Sequence, residues 1–411
     1  MRLLLWSQYF WPENFPINEV AAELVRAGIS VTVLTGKPNY PVGSFFEGYK
    51  GSGIGREQIA GAAVVRIPIL PRRAGGAVSL ALNYISFVIS GYLFAPIALR
   101  RQKFDAIFVY APSPLIQALP ALFLSFLKRA PVTLWVQDLW PDVLKATGHV
   151  KSPFLLRLIT FVVRYIYRQT DLILVQSEAF RAPVERLTGN ASKIRYFPNL
   201  AKASKGGDAY SSAAHDLSLA MKKSFSVVFA GNVGRAQSIE TIVEAACHLR
   251  NAGNIKIFIV GSGSRLEWIA AEIERLALNN IVLAGRFPAS DMPPILAAAS
   301  ALLVTLGEDH TISLTVPSKI QSFLAAGRPI VACLNGEGAR ILTEAQAGLI
   351  CPSGNSFELA KAISKLEAMS HDEREQFGIN GKRYFMDRFE LTRRVGELID
   401  HLAQTKRTDK K

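Results

Sequence analysis

Cysteine is scarce in this chain. The three in 411 residues, Cys247, Cys333 and Cys351, are scattered, with no CxxC and no histidine at ligand spacing. That excludes a disulfide framework and a cysteine-built metal centre, and it suits a reducing compartment. The six histidines form no pair, and His248 and His310 read as surface or local-structure residues. No DxD occurs, and no carboxylate group has metal-ligand spacing, so no metal is expected. The dinucleotide fingerprint GxGxxG is also missing, because Gly231 and Gly234 are separated by Asn-Val; this argues against a dehydrogenase. The start, MRLLLWSQYF, offers only about five apolar residues before polar ones intervene, too few for the apolar region of a signal peptide. A cytoplasmic protein is therefore expected. Low-complexity tracts and short repeats are absent.

What is present fits a two-domain globular protein. A chain of 411 residues exceeds one small core and suits two domains of roughly 200 residues. Hydrophobic residues make up 49% and charged ones 19%, too apolar for disorder. The net charge of +14 is unevenly placed: residues 1–200 carry 22 Lys/Arg against 11 Asp/Glu, the remainder 25 against 22. A basic first half suits an anionic membrane surface or a phosphorylated substrate. Nucleic acid is not expected, since neither a basic-aromatic groove motif nor a zinc finger is present. One apolar run stands out, the 23 uncharged residues from Ala77 to Leu99, flanked by Arg72-Arg73 and Arg100-Arg101. Its length permits a membrane span. It also suits a helix pair buried in the domain, or a helical hairpin lying in a membrane interface with arginines on lipid phosphates. A span would split apolar strands that belong to one sheet between two compartments.

Short apolar runs alternate with helical ones. RLLLW (2–6), VTVLT (31–35), AVVRI (63–67), AIFVY (106–110), VTLWV (132–136), LILVQ (172–176) and IRYF (194–197) form the first set. Alternation of this kind predicts an α/β fold with a parallel sheet covered on both faces. Residues 201–224 fall in hydrophobicity and read as a linker. The pattern then restarts with SVVFAGN, IKIFIVGSGS, NIVLAGR, ALLVTLG and PIVACL, and the tail from about Asn355 reads as helices. Two doubly wound domains in tandem imply ligand binding at the carboxyl ends of the strands. The expected boundaries are 1–200, 201–224, 225–385 and 386–411.

Three stretches of the second half carry possible phosphate chemistry. In FAGNVGRAQ, Gly231 and Gly234 allow close backbone approach ahead of a helix start, and Arg235 adds a forked cation. IVGSGSR repeats the arrangement with Gly261, Gly263 and Arg265. In TVPSKIQSFLAAGRP, Pro317 opens a helix and Gly327 closes it. Ile320, Phe323 and Leu324 line one face there, leaving Ser318, Lys319 and Ser322 on others. In the first half, Asp138 follows the strand VTLWV, where it can orient a sugar, accept a hydrogen bond from an incoming hydroxyl, or simply cap the next helix.

Six ordered segments together resemble family 4 of the retaining glycosyltransferases, in particular the bacterial branch that builds O-antigen and exopolysaccharide repeat units, N-acetyl-fucosamine transferases among them. They are SQYFWPENFPINEVAAELV, LTGKPNYPVGSFFEGYKG, WVQDLWPDVL, YFPN, FAGNVGRAQ and PSKIQSFLAAGRP. The resemblance implies a GT-B fold: an acceptor domain, then a nucleotide-sugar domain, then a final helix that crosses back. It also implies a metal-independent enzyme without a cofactor, peripheral on the cytoplasmic face of the inner membrane. Its partners would be a UDP-sugar, a polyprenyl-diphosphate-linked saccharide and membrane lipids.

The family pattern transfers unevenly. A glutamate pair in the family, one near the transferred sugar and one on the ribose, corresponds here to Leu314 and Ser322. Glu308 or Asp309 would then serve the sugar, and Ser322 or Gln321 the ribose. The family's diphosphate-binding Arg and Lys fall near Asn232 and Gln237, leaving Arg235 and Lys319 as substitutes. A His-Asp pair common in relatives reads Gln137-Asp138. Acceptor contacts are expected from Glu13, Asn14, Lys37, Asn39 and Tyr40. Two rival functions share this fold: a nucleotide-sugar 2-epimerase, and a non-catalytic sugar-nucleotide-binding or scaffold protein.

Overall fold

A computed structural model describes residues 1–73, 76–146, 150, 152–203, 210–309 and 313–407. It divides into two units, Met1–Asn199 with Leu391–Lys411, and Leu200–Glu390.

The first unit is built on β1 (Arg2–Trp6), β2 (Ser30–Gly36), β3 (Gly55–Ile59), β4 (Ala62–Ile67), β5 (Ala106–Ala111), β6 (Val132–Val136), β7 (Leu172–Val175) and β8 (Ile194–Tyr196), in the order β3-β4-β2-β1-β5-β6-β7-β8. Every pairing is parallel except β3 with β4. All residues of β5, β6 and β7 are buried, which is why these strands read as continuous apolar runs. Hairpin strand β3, GREQI, was not among the expected strands. It is a polar edge strand, and Ala60 and Gly61, both at positive φ, turn it into β4.

The helices of this unit are α1 (Ile17–Arg26), α2 (Ala77–Ala98), α3 (Ala118–Lys128), α4 (Asp142–Ala146), α5 (Pro153–Gln169) and α6 (Arg181–Thr188). The Ala77–Leu99 run, for which a membrane span, a helical hairpin and a helix pair were open, forms the single continuous helix α2, with Pro96 in its last turn. Asn83, Phe87, Ser90 and Ala95 face the core. Its other side is equally apolar and exposed: Val78, Leu82, Ile85, Ile89, Leu93 and Ile97 recur every three or four residues. Only 28% of the Val78–Ala98 segment is buried. Helix α3 packs on α2, and α5 on α3. They extend the exposed apolar face with Phe126 from α3 and Phe154, Leu158 and Phe161 from α5.

The second unit contains α7 (Ser212–Met221), β9 (Phe225–Asn232), α8 (Ile239–His248), β10 (Ile255–Ser262), α9 (Leu266–Arg275), β11 (Ile281–Gly285), α10 (Met292–Ala298) and β12 (Ala301–Thr305). There follow α11 (Lys319–Ala326), β13 (Ile330–Cys333), α12 (Glu337–Ala345), β14 (Gly348–Cys351), α13 (Ser356–Ala368) and α14 (His371–Arg388). The sheet runs β11-β10-β9-β12-β13-β14, wholly parallel. The expected linker 201–224 is largely structured: α7 packs against α10, and Ala214 and Met221 join the core of this unit. Residues 204–209 of that segment lie outside the described residues. The last helix, α15 (Leu391–Gln404), belongs to the first unit, where Leu391, Val395, Leu398 and Leu402 are buried and the helix packs on α1. Burying each such side chain contributes about 1.5–3 kcal/mol.

Candidate active site

In each sheet the chain winds outward in one direction and then returns to the middle. The reversal falls between β1 and β5 in the first unit and between β9 and β12 in the second. At such points the two flanking loops diverge and leave a crevice beyond the strand ends.

In the second unit the loop after β9 is held from both sides. The Val233 amide donates to the Ser262 carbonyl (2.9 Å), and the Arg265 amide to the Val233 carbonyl (3.0 Å). From the β12 side, the Gly307 amide donates to the Ala236 carbonyl (3.0 Å). This tight seating explains two of the expected donor glycines differently. A Cβ on Gly261 would lie 1.9 Å from the Gly231 carbonyl oxygen, and one on Gly263 2.3 Å from that of Val233. Close approach of two backbones therefore accounts for both glycines without a ligand. Gly231, Asn232 and Arg235 remain exposed at the strand end, and Gly234 is buried between the Asn232 and Gln237 side chains. Arg265, also expected at the donor site, pairs with Glu240 at 2.6 Å and lies over the Trp268 ring at 5.3 Å, so its charge is met by a neighbour.

Lys319, the first residue of α11, reaches back to this loop. Its Nζ sits 3.9 Å from the centroid of Phe229 in β9 and 3.5 Å from where a Cβ on Gly231 would stand. The amine is enclosed and has no hydrogen-bond acceptor among the described residues. Burial alone lowers its pKa to about 8. An ammonium held by one aromatic face, beside the exposed Gly231 and Asn232 at a switch point, is poised for an anion. Gln321 faces inward: it is buried, and its amide nitrogen donates to the Ser318 (2.7 Å) and Pro317 (3.2 Å) carbonyls. That corrects its assignment to the ribose. Ser318 and Ser322 are exposed, and Ser322 Oγ donates to the Lys319 carbonyl (3.0 Å). Glu308 and Asp309 are exposed just beyond β12, with a Glu308 carboxylate oxygen 3.3 Å from the Cβ position of Gly354.

The first unit's reversal point carries different chemistry. Asp138 Oδ2 accepts from both the Ser113 amide (3.0 Å) and hydroxyl (2.8 Å), and Trp140 Nε1 donates to the same hydroxyl (3.0 Å). Asp138 Oδ1 has no partner among the described residues. Nearby, Tyr9 stacks on Phe15 at 4.8 Å, and Tyr40 leans on both. Tyr9 and Tyr84 are close enough to influence each other, and burial raises the pKa of both phenols, Tyr9 well above the ordinary value. The Asp138 charge also reaches Tyr84 and pushes it in the same direction.

Three of the expected acceptor contacts, Glu13, Lys37 and Asn39, are buried. Glu13 is buried and accepts from the Phe10 (3.2 Å), Asn39 (2.8 Å) and Tyr40 (2.8 Å) amides. Burial raises its pKa, against the pull of those bonds. Asn39, also buried, donates to the Lys37 carbonyl and accepts from the Arg72 amide, both at 3.0 Å. Lys37 is buried with its amine beside Gly55, and burial and Arg66 lower its pKa. Only Asn14 and Tyr40 of that group are exposed. Tyr9, Tyr84, Ser113 and the guanidinium of Arg72 were missed; the aromatic residues carry no motif, and Arg72 stood out only as a flank of the apolar run.

His248 is exposed, edge-on to Phe357, and His310 lies outside the described residues. One grouping unseen in the sequence, His371, Asp372 and Glu375, is close enough to share an ion, and all three are exposed at the start of α14.

Comparison with known proteins gives this arrangement a family. Residues 17–200 match the glycosyl transferase 4-like domain, and residues 224–368 match glycosyl transferases group 1. The chain is a glycosyltransferase of the GT-B type. It is 28% identical over 348 residues to WcaI of Escherichia coli K12, named for colanic acid biosynthesis, covering 80% of this chain and 82% of that one. To the glycosyltransferase WbjE of Pseudomonas aeruginosa it is 25% identical over 283 residues, 68% and 70% of the two chains. Its fold is that of Anabaena HepE in complex with UDP (TM-score 0.70, 15% identical, 98% and 100% covered) and of sucrose-phosphate synthase from Thermosynechococcus elongatus (0.73, 16%, 98% and 98%). The two matched domains of the glycosyltransferase begin and end near its two structural units, so each reversal point belongs to a different glycosyltransferase domain.

Proposed function

We propose that this glycosyltransferase moves a sugar, with retention and without a metal, from a UDP-sugar to a hydroxyl of a polyprenyl-diphosphate-linked saccharide during O-antigen or exopolysaccharide synthesis. The expected sugar is an N-acetylated or 6-deoxy hexosamine. The observation that carries the reading is the unpartnered Lys319 ammonium at the end of β9, inside the domain matched to glycosyl transferases group 1. There it would meet the donor's diphosphate, with Arg235 adding a second cation from the exposed loop. The UDP complex of Anabaena HepE supports UDP as the nucleotide.

In the reaction the bond from the anomeric carbon to the donor phosphate breaks. The acceptor oxygen bonds to that carbon on the same face, and its proton passes to the departing phosphate oxygen. Lys319 and Arg235 stabilise the negative charge that develops on UDP. Asp138, fixed through one oxygen by Ser113, uses the other to orient the incoming hydroxyl. Glu308 or Asp309 orients the transferred sugar. The apolar face of α2, α3 and α5 would rest on the cytoplasmic leaflet of the inner membrane, where the acceptor's lipid tail lies.

The test is UDP release by purified protein supplied with UDP-N-acetylhexosamines or their 6-deoxy forms and a short polyprenyl-diphosphate-sugar. Release that depends on the acceptor is expected. UDP binding without release across the panel contradicts transfer and favours a sugar-nucleotide-binding role.

A further inference from the structure

Arg72 lies in the segment between β4 and α2, and its backbone is pinned by the 3.0 Å bond to Asn39. Its guanidinium lies 4.9 Å from the Tyr40 ring centroid and 5.9 Å from that of Tyr84. The Tyr84 hydroxyl, at 3.5 Å, is its one side-chain hydrogen-bond contact among the described residues. Half-buried Arg72 thus differs from Arg66, Arg265, Arg340 and Arg394, each of which is paired with a glutamate. A guanidinium fixed by aromatic faces, with its fork unspent, matches the oxygens of a phosphate.

Its neighbours say which phosphate. Tyr40 and Tyr84 lie against it, and Tyr9 and Phe15 pack on Tyr40, so rings that offer faces to a sugar are grouped beside it, with the Asp138 charge reaching Tyr84. Tyr84 belongs to α2, whose exposed apolar stripe starts at Val78. A lipid-linked saccharide carries the matching kinds of part: tail, phosphates and sugar.

We propose that Arg72 binds a phosphate of the acceptor's lipid-linked diphosphate, and so sets where along the acceptor the sugar is placed. This rests on the acceptor assigned above. Because phosphate also occurs in lipid headgroups, the test must separate the two sources and must not require turnover.

Binding of farnesyl diphosphate and of farnesol is measured by calorimetry for the intact protein, Arg72→Gln and Arg72→Lys. Binding of the protein to vesicles with and without anionic lipid is measured alongside. The intact protein is expected to prefer the diphosphate. Arg72→Gln should reduce that preference by about ten- to hundredfold, and Arg72→Lys by less. Farnesol binding, UDP binding and the melting temperature should not move. Equal diphosphate preference in all three proteins, or none in the intact protein, overturns the inference. So does an Arg72→Gln defect confined to anionic vesicles, which would make the phosphate a headgroup. If no acceptor supports transfer yet the Arg72-dependent preference is present, the function proposed above fails while this site stands.

Discussion

The two reversal points occupy the same place in two similarly wound sheets and hold opposite chemistry. In the second unit the crevice is lined by glycine backbone and a lysine unpaired among the described residues. In the first it is lined by Tyr9 stacked on Phe15, with Tyr40 against both, and a carboxylate with one oxygen spoken for. Backbone and a cation suit a phosphate, while aromatic faces and a hydroxyl-orienting carboxylate suit a sugar. The shared winding fixes where a ligand can sit, and the side chains decide which ligand it is.

Substitutions can break that division. The largest effect is expected from Asp138→Asn, which keeps an acceptor for Ser113 but weakens the hold on the incoming hydroxyl. Turnover should fall by about a hundredfold or more, while UDP affinity measured by calorimetry is unchanged. A parallel loss of UDP affinity would merge the two roles.

Lys319→Met comes next. UDP affinity should fall by about ten- to hundredfold with the melting temperature unchanged or raised, because the variant no longer buries an unpaired ammonium beside Phe229. Thermal melts with and without UDP separate the two effects.

The same amine predicts a pH dependence. With its pKa lowered to about 8, Lys319 is protonated below that pH and neutral above it in the free protein, and a bound diphosphate favours the protonated form. UDP affinity should therefore level off below pH 8 and weaken by up to about tenfold per pH unit above it. A flat profile in Lys319→Met would assign the slope to this residue. An unchanged slope there would place it elsewhere.

The smallest effect sharpens the contrast between two cations of one unit. Because Arg265 is engaged by Glu240, Arg265→Ala should change UDP affinity by less than about twofold, whatever it does to the melting temperature. A loss as large as that of Lys319→Met would restore Arg265 to the donor site.

Legibility in the sequence followed burial. Strands buried on both faces announced themselves as unbroken apolar runs, and nearly all of both sheets could be read from them. Polar GREQI escaped because an edge strand has no such run to show. The short GLIC strand at 348–351 escaped as well, being brief and only partly buried. Site residues were harder, because a residue type gives its chemistry and not its partners. Arg265 and Lys319 look alike in the sequence, but α8 supplies Glu240 to one, and the described residues supply no acceptor to the other. Glu13 and Asn39 were expected as acceptor contacts in the first loops. Their amide partners, which make them struts, exist only once the loops are closed.

The most direct test of the account is a crystal structure of the protein with UDP bound. The account predicts diphosphate oxygens within hydrogen-bonding distance of Lys319 Nζ and of backbone amides in the Gly231–Gly234 turn. A diphosphate held by Arg265, or lodged against Tyr9 and Asp138 in the first unit, with Lys319 still resting on Phe229, would contradict it.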